Sequence, residues 1–128
     1  GLKRCAKMTA VKKNAYRFGR FAEHLSCWRL RLGGYTILRR GYQAAGGEID
    51  IIARRGNVLA FIEVKARQTL DDASHALGPA QRRRIERTAL AFLGHNADLA
   101  SLDARFDLIV LTPRSWPRHL IAAWILDT

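Results

Sequence analysis

The sequence has few cysteines, no long apolar run and few acidic residues. Its two cysteines, Cys5 and Cys27, form no C-x-x-C pair, which argues against a disulfide framework and favours free thiols. No run approaches the roughly 18 consecutive apolar residues of a membrane span, and the basic start is not followed by the apolar stretch of a signal peptide. We therefore expect a cytoplasmic protein that does not associate with membranes.

Basic residues outnumber acidic ones. The 128-residue chain has 22 Lys and Arg and 11 Asp and Glu, which gives it a formal net charge of +11. A composition of 48% hydrophobic and 26% charged residues excludes disordered and collagen-like chains. We expect one domain at residues 14–128 behind a flexible basic tail at residues 1–13. The arginines recur along the whole chain, so nucleic acid is favoured over a membrane surface as the partner, and a basic surface without a specific ligand is the alternative.

The spacing of apolar residues predicts an α/β protein in the order αβββαβ, followed by a short strand and a short helix. The predicted helices are residues 16–32, 79–93 and 122–126. The predicted strands are residues 35–40, 48–53, 58–65, 105–112 and 119–121. Between them we predict a loop at residues 41–47, a hairpin turn at 55–57 and a loop at 66–77.

The two long helices each have a predicted inward face. In the first helix this face is Phe18, Phe21, Ala22, Leu25, Trp28 and Leu32, with Glu23 on a flank beside Gly19, Ser26 and Leu30. In the second helix it is Gln81, Ile85, Thr88, Ala89 and Phe92, while Arg83, Arg84 and Arg87 face outward. We expect the three tryptophans to be core or rim residues, and the four histidines show no zinc-binding spacing.

Three of the 11 carboxylates, Glu48, Asp50 and Glu63, lie on or beside the two strands of one predicted hairpin. Glu63 and Lys65 are two residues apart on a strand and leave the same face, which also suits an ordinary surface ion pair. A tight turn can place Asp50 beside Glu63, and two converging carboxylates suit Mg²⁺ bound together with substrate phosphates. Lys65 would then orient the attacking water or neutralise charge that develops on the phosphate.

Three blocks along the chain, GGEIDIIA at residues 46–53, FIEVKAR at 61–67 and RFDL at 105–108, resemble the YraN family of small bacterial proteins. The resemblance runs from residue 16 to about residue 126. It implies the restriction-endonuclease-like fold, a central mixed β-sheet flanked by helices. It also implies the nuclease motif PD-(D/E)-x-K, with Asp50 as the first acid and Glu63, Val64 and Lys65 as its second half, although Ile49 stands where the motif has proline.

The resemblance implies roles for individual residues. Asp50, Glu63 and Lys65 would be catalytic, and Asp50, Glu63 and the Val64 carbonyl would hold Mg²⁺ or Mn²⁺. Glu23 would complete the metal site or pair with an arginine, and Glu48 would be an auxiliary acid or form a salt bridge at the rim. Candidate substrate contacts are Gln81, where many members carry Lys, and Arg67, Arg83 and Arg84, of which the last two equally suit a solvated helix face. Asp107 would pair with Arg105 or support the site.

These features predict a divalent-metal-dependent DNA endonuclease that hydrolyses phosphodiesters, with branched DNA as a candidate substrate. The alternative is a nucleic-acid-binding or adaptor module that retains the nuclease fold without turnover. A third interpretation is a structural protein whose acids neutralise arginines.

Overall fold

The computed structural model describes residues 19–69 and 77–124. The elements in these ranges are α1 at residues 19–32, β1 Thr36–Ala44, β2 Gly47–Arg55, β3 Val58–Ala66, α2 Pro79–His95, a 3-10 turn Ala97–Leu99, β4 Asp103–Leu111 and β5 Arg118–Trp124. The predicted tail at residues 1–13 and most of the predicted loop at 66–77 lie outside these ranges. No helix within them is long and apolar enough to cross a membrane.

The five strands form one mixed sheet in the order β1-β2-β3-β4-β5, in which β3 and β4 are parallel and the other pairs are antiparallel. The helix α2 supplies the crossover that a parallel pair requires. The order of elements confirms the predicted α/β class and is consistent with a restriction-endonuclease-like fold.

Each face of the sheet packs against one helix. Alternate residues of β3 supply the two faces, since Leu59 and Phe61 contact the α2 side while Ala60 and Ile62 contact the α1 side. The α2 side is closed by the predicted stripe of Ile85, Thr88, Ala89 and Phe92, all of which are buried. The central strands are therefore covered on both sides, which explains their nearly continuous apolar sequence.

The predicted inward face of α1 is largely wrong. Phe21, Trp28 and Leu32 are exposed, whereas Ala22 is buried and Leu25 partly buried as predicted, and Phe18 lies outside the described residues. The buried face consists of Ala22, Ser26, Cys27 and Leu30. The buried Ser26 hydroxyl donates to the Ala22 carbonyl at 2.8 Å, so a polar residue can lie against the sheet without an unpaired group. Small side chains allow α1 to approach the sheet closely on the flank that also carries Glu23.

Two predicted segments at the sheet edges are also wrong. The predicted loop at residues 41–47 is strand, because β1 continues to Ala44 and a two-residue turn of Ala45 and Gly46, both with positive φ, connects it to β2. The predicted helix at 122–126 is not formed at residues 122–124, where β5 continues to Trp124. Trp124 pairs with Phe106 of β4 and the Ala122 N–H donates to the Asp107 carboxylate, and these contacts override the helical propensity of the Ala-Ala sequence there. The predicted hairpin turn at residues 55–57 is confirmed, with Arg55 opposite Val58.

Candidate active site where strands β2 and β3 separate

The β2–β3 hairpin brings the two halves of the proposed motif together. Its regular pairing runs from the turn to the Ile51–Ile62 pair and stops there. Immediately beyond it, the backbone N–H of Val64 donates to Asp50 Oδ2 at 2.8 Å. The Asp50 side chain therefore bridges the two strands just where their backbones separate.

A cavity of about 860 Å³ opens at this point, between the hairpin and the first turns of α2. Seven of the residues singled out from the sequence line it: Glu48, Asp50, Glu63, Val64, Lys65, Gln81 and Arg84. Glu63 and Lys65 share this face of the sheet, as the two-residue spacing predicts. Arg67, Arg83 and Glu23 do not line this cavity.

The carboxyl groups of the half-buried Asp50 and the buried Glu63 both have raised pKa values. Burial raises the pKa of Glu63 to about 8, with a further contribution from the Asp50 charge, while Lys65 opposes the shift. The pKa of Asp50 is also raised, mainly by burial, against the opposing effect of the Val64 N–H bond. The two carboxyl groups are therefore close enough to interact electrostatically, and a neighbouring positive charge would stabilise the ionised form of each.

The donor set fits a small divalent cation. Glu63 is only 5% exposed, and its Oε1 has no hydrogen-bond partner among the described residues. A buried carboxylate oxygen without a partner is costly unless a cation or donor occupies the space beside it. In the described ranges no group of three or more His, Cys, Asp or Glu residues gathers as a metal site. Two carboxylates with the Val64 carbonyl would leave coordination positions for water and phosphate, as Mg²⁺ commonly requires.

Glu23 lies on the other side of Asp50. It lines a smaller cavity of about 260 Å³ together with Asp50, Val64 and Ala66. Its Oε1 accepts a hydrogen bond from Arg40 Nε at 2.9 Å, so the arginine pairing left open by the sequence is present. The exposed Glu48 lies at the rim of the large cavity.

Close packing at Gly47 positions α2 against the hairpin. A Cβ atom at Gly47 would lie 2.5 Å from Thr88 Oγ1 and 3.0 Å from the Arg84 carbonyl oxygen, so only glycine fits. The Thr88 hydroxyl lies within hydrogen-bond distance of the carbonyl oxygens of both Ala44 and Arg84, 2.9 Å from each. This contact fixes the cavity wall that carries Arg84 relative to the carboxylates.

Asp107 is part of a separate buried network on the α1 side of the sheet. Arg105 donates to both of its carboxylate oxygens at 2.8 Å, and His119 Nε2 lies 2.7 Å from Oδ2. The N–H of Ala122 donates to Oδ1 at 2.9 Å, and Arg105 also donates to the Tyr35 hydroxyl. The pairing with Arg105 that the sequence suggested is present, and Asp107 does not line the large cavity.

Gln43, which the sequence did not single out, lines the large cavity from β1. Its register opposite Glu48 places it there. The sequence does not reveal Gln43 because residues 41–47 are predicted as a loop, and the signal for it is the alternation of a strand that continues past Gly41.

Comparison with known proteins places the chain in one family. The model of "Uncharacterised protein family UPF0102" matches residues 22–111. A UPF0102 protein of Parvibaculum lavamentivorans is 50% identical over 110 residues, which cover 86% of this chain and 83% of the relative. A UPF0102 protein of Paramagnetospirillum magneticum is 48% identical over 117 residues, which cover 88% and 91% of the two chains. The chain therefore belongs to the UPF0102 family, the YraN family that its motifs resemble.

Proposed function

We propose that this protein is a divalent-metal-dependent endonuclease that hydrolyses phosphodiester bonds in DNA. The observation that carries the proposal is the convergence of Asp50, Glu63 and Lys65 on one cavity, with a buried Glu63 oxygen that lacks a hydrogen-bond partner in the described residues. Two acids and one lysine with this arrangement suit phosphoryl transfer, in which positioning and charge stabilisation supply most of the rate enhancement.

The roles follow from position. Asp50, Glu63 and the Val64 carbonyl would hold Mg²⁺ or Mn²⁺, and such a cation neutralises phosphate charge and lowers the pKa of the attacking water. Lys65, on the same face as Glu63, orients that water and stabilises negative charge on the phosphate. As the water oxygen bonds to phosphorus, the water loses one proton and the ester P–O bond breaks, and the departing oxygen takes up one proton in exchange.

The cavity wall supplies the contacts with DNA. Arg84 and Gln81 line it from α2, opposite the carboxylates. An arginine contacts phosphate oxygens with charge, whereas Gln81 contributes hydrogen bonds alone. The net charge of +11 attracts the DNA backbone over a longer range and makes binding depend on salt.

The test is cleavage of supercoiled plasmid and of branched DNA with Mg²⁺ or Mn²⁺. We expect Asp50→Asn, Glu63→Gln and Lys65→Ala each to lower the rate by at least about 100-fold, the usual scale for removing an acid–base or electrostatic group. Asp103→Asn is the matched control, because Asp103 is exposed and pairs with Val58, at the opposite end of β3 from Glu63. Cleavage by Asp50→Asn at the wild-type rate would overturn the mechanism.

A stability measurement shows whether a variant fails to cleave DNA because its site is altered or because the protein no longer folds. A carboxyl group whose pKa is raised in the folded protein lowers stability above its unfolded pKa of about 4.3, because folding must then either take up a proton or bury a charge. Glu63→Gln should therefore melt at or above the wild-type temperature at pH 7. Divalent metal should raise the melting temperature of the wild type and of Asp103→Asn, and should not raise that of Glu63→Gln.

The second candidate is a nucleic-acid-binding or adaptor module without turnover. It is favoured by the ion pair between Glu23 and Arg40, because an arginine already neutralises the first-helix acid that the resemblance implies as a further metal ligand. It predicts salt-sensitive DNA binding that survives Glu63→Gln, together with no cleavage under any metal.

A further inference from the structure

A second concave surface lies on the α1 side of the sheet, across the sheet from the large cavity of the candidate active site. We define the aromatic groove as the cavity of about 800 Å³ between α1, the end of β3 and the β4–β5 turn. Its described lining includes Phe21 and Leu25 from α1, Arg67 from the end of β3, and Arg114 and Trp116 from the turn. None of these lining residues is acidic.

The aromatic side chains of the groove are available to a ligand. Phe21 is 61% exposed and Trp116 is 53% exposed, although large aromatic side chains are normally buried. Exposed aromatic rings between cationic side chains are the usual platform for single-stranded nucleic acid, because bases stack on the rings and phosphates contact the cations. The two arginines and the absence of acids in the described lining give the groove the charge that such a strand requires.

The groove walls are held in place by hydrogen bonds between the elements that form them. Arg29 Nε donates to the Pro117 carbonyl at 3.2 Å and thereby connects α1 to the β4–β5 turn beside Trp116. The Arg67 N–H donates to the Leu111 carbonyl at 2.9 Å and prolongs the pairing of β3 with β4 to the groove edge. A groove fixed in this way requires little ordering on binding.

The groove lies on the α1 face of the sheet and the large cavity on the α2 face, and shared lining residues link the two at the end of β3. Asp50 and Val64 line both the large cavity and the smaller one beside Glu23, and Ala66 lines both the smaller cavity and the groove. Arg67 follows Lys65 by two residues, about 7 Å along an extended chain. A strand that leaves the carboxylates along the end of β3 therefore reaches the arginine first and the aromatic rings next.

We propose that the aromatic groove binds a single-stranded DNA arm that extends from the scissile phosphate, so that the preferred substrate is a duplex carrying an unpaired arm. This inference rests on the proposed function, since it names the substrate of that site. The arm would stack on Trp116 and Phe21 while Arg67 and Arg114 contact its phosphates. A fully paired duplex is too wide and too stiff to place its bases on these rings.

The test separates binding from cleavage. Fluorescence anisotropy in EDTA compares a blunt duplex with the same duplex carrying an oligothymidylate arm of about 16 nucleotides. We expect the arm to increase wild-type affinity, and Trp116→Ala to weaken binding of the armed duplex by about 5- to 100-fold while leaving the blunt duplex unchanged. Trp116→Phe should restore most of the preference, because it keeps an aromatic ring.

Trp28→Ala is the matched control. Trp28 is also exposed, at 58%, and is carried by the same helix as Phe21, but it does not line the groove. Its removal should leave the preference for the arm intact. If Trp116→Ala and Trp28→Ala bind the armed duplex equally well, the groove assignment is overturned. It is also overturned if Trp116→Ala changes only self-association in sedimentation, because the groove would then dock protein.

Cleavage of the same substrates with Mg²⁺ or Mn²⁺ shows which proposal fails. A preference for the arm that depends on Trp116, without cleavage by the wild type, would retain the groove and overturn hydrolysis. Cleavage that requires Asp50 but is indifferent to Trp116 and to the arm would retain hydrolysis and overturn the groove.

Discussion

Replacing Asp107 by asparagine should destabilise the whole fold while leaving its shape unchanged. The Asp107 carboxylate is fully buried and is held by Arg105, His119 and the Ala122 N–H. The side-chain amide that Asp107→Asn introduces has the same size as the carboxylate but only one acceptor oxygen, so one Arg105 N–H would face an NH₂ group. The substitution also leaves the guanidinium partly buried without its counter-charge.

The magnitude follows from this geometry. Breaking a buried ion pair by removing one partner costs about 3–5 kcal/mol, because the remaining charge is uncompensated. A domain of this size is stable by about 5–15 kcal/mol in total, so the change removes a large share of that stability. At about 4 °C per kcal/mol, the melting temperature should fall by about 10–20 °C.

The assay is thermal and urea unfolding of the wild type, Asp107→Asn and Asp103→Asn. Asp103 begins the same strand and is exposed, so its substitution makes the same change in net charge without breaking a buried pair. We expect Asp103→Asn to melt within about 2 °C of the wild type, as surface changes usually do. If Asp107→Asn melts together with Asp103→Asn, the network does not hold the sheet and the reasoning is refuted.

The pH dependence gives an independent check. Burial alone would raise the pKa of Asp107, but hydrogen bonds from His119, Arg105 and Ala122 outweigh it and lower the pKa below its ordinary value. A carboxyl group with a lowered folded pKa contributes stability above its unfolded pKa of about 3.9 and loses it as the pH falls through the folded pKa. The difference in unfolding free energy between wild type and Asp107→Asn should therefore be full at pH 7 and shrink below about pH 4.

Three further predictions concern other positions. Gly47→Ala should lower the unfolding free energy by about 1–3 kcal/mol, because the added methyl group overpacks against α2. Gly94→Ala should raise it by about 0.5–1 kcal/mol, because Gly94 lies in a helix and open space surrounds it. Chemical unfolding measures both changes. Ala45→Asn should raise the unfolding free energy by about 0.5–1 kcal/mol, because the two-residue turn requires positive φ at this position, and an unchanged urea midpoint would contradict this. Arg84→Gln should reduce by about one unit the slope of log DNA affinity against log salt concentration. Arg83→Gln should change that slope less, because Arg83 lies outside the large cavity. Equal slopes for the two variants would argue against the cavity as the DNA site.

The helix α2 was predictable from sequence and the packing of α1 was not. Only one apolar stripe exists on α2, so the spacing of Ile85, Ala89 and Phe92 allowed a single orientation. On α1 either of two faces could contact the sheet, and a count of apolar side chains alone favours the face with Phe21 and Trp28. The sheet instead contacts small residues, since close approach buries more backbone and the serine hydroxyl is satisfied within the helix.

The core of the candidate site was predictable because local pairing determines it. A two-residue turn fixes the register of β2 against β3, and that register alone places Asp50 beside Glu63. The partner of Glu23 was not predictable, because many arginines are available and the choice of Arg40 depends on how α1 packs over β1. The aromatic groove was not predictable either, since its walls come from three distant parts of the chain.

The two outer strands of the sheet are both irregular. In β1 the pairing shifts between Ile37 and Arg39 and leaves Leu38 unpaired, and in β5 three residues lie opposite Asp107. Exposed Arg39 and Arg40 add charge to the first of these edges. Bulges and charges of this kind prevent a further strand from extending a sheet. In the described part of the chain the sheet therefore ends at five strands, and its irregular edges are poor templates for β-augmentation and for edge-to-edge aggregation.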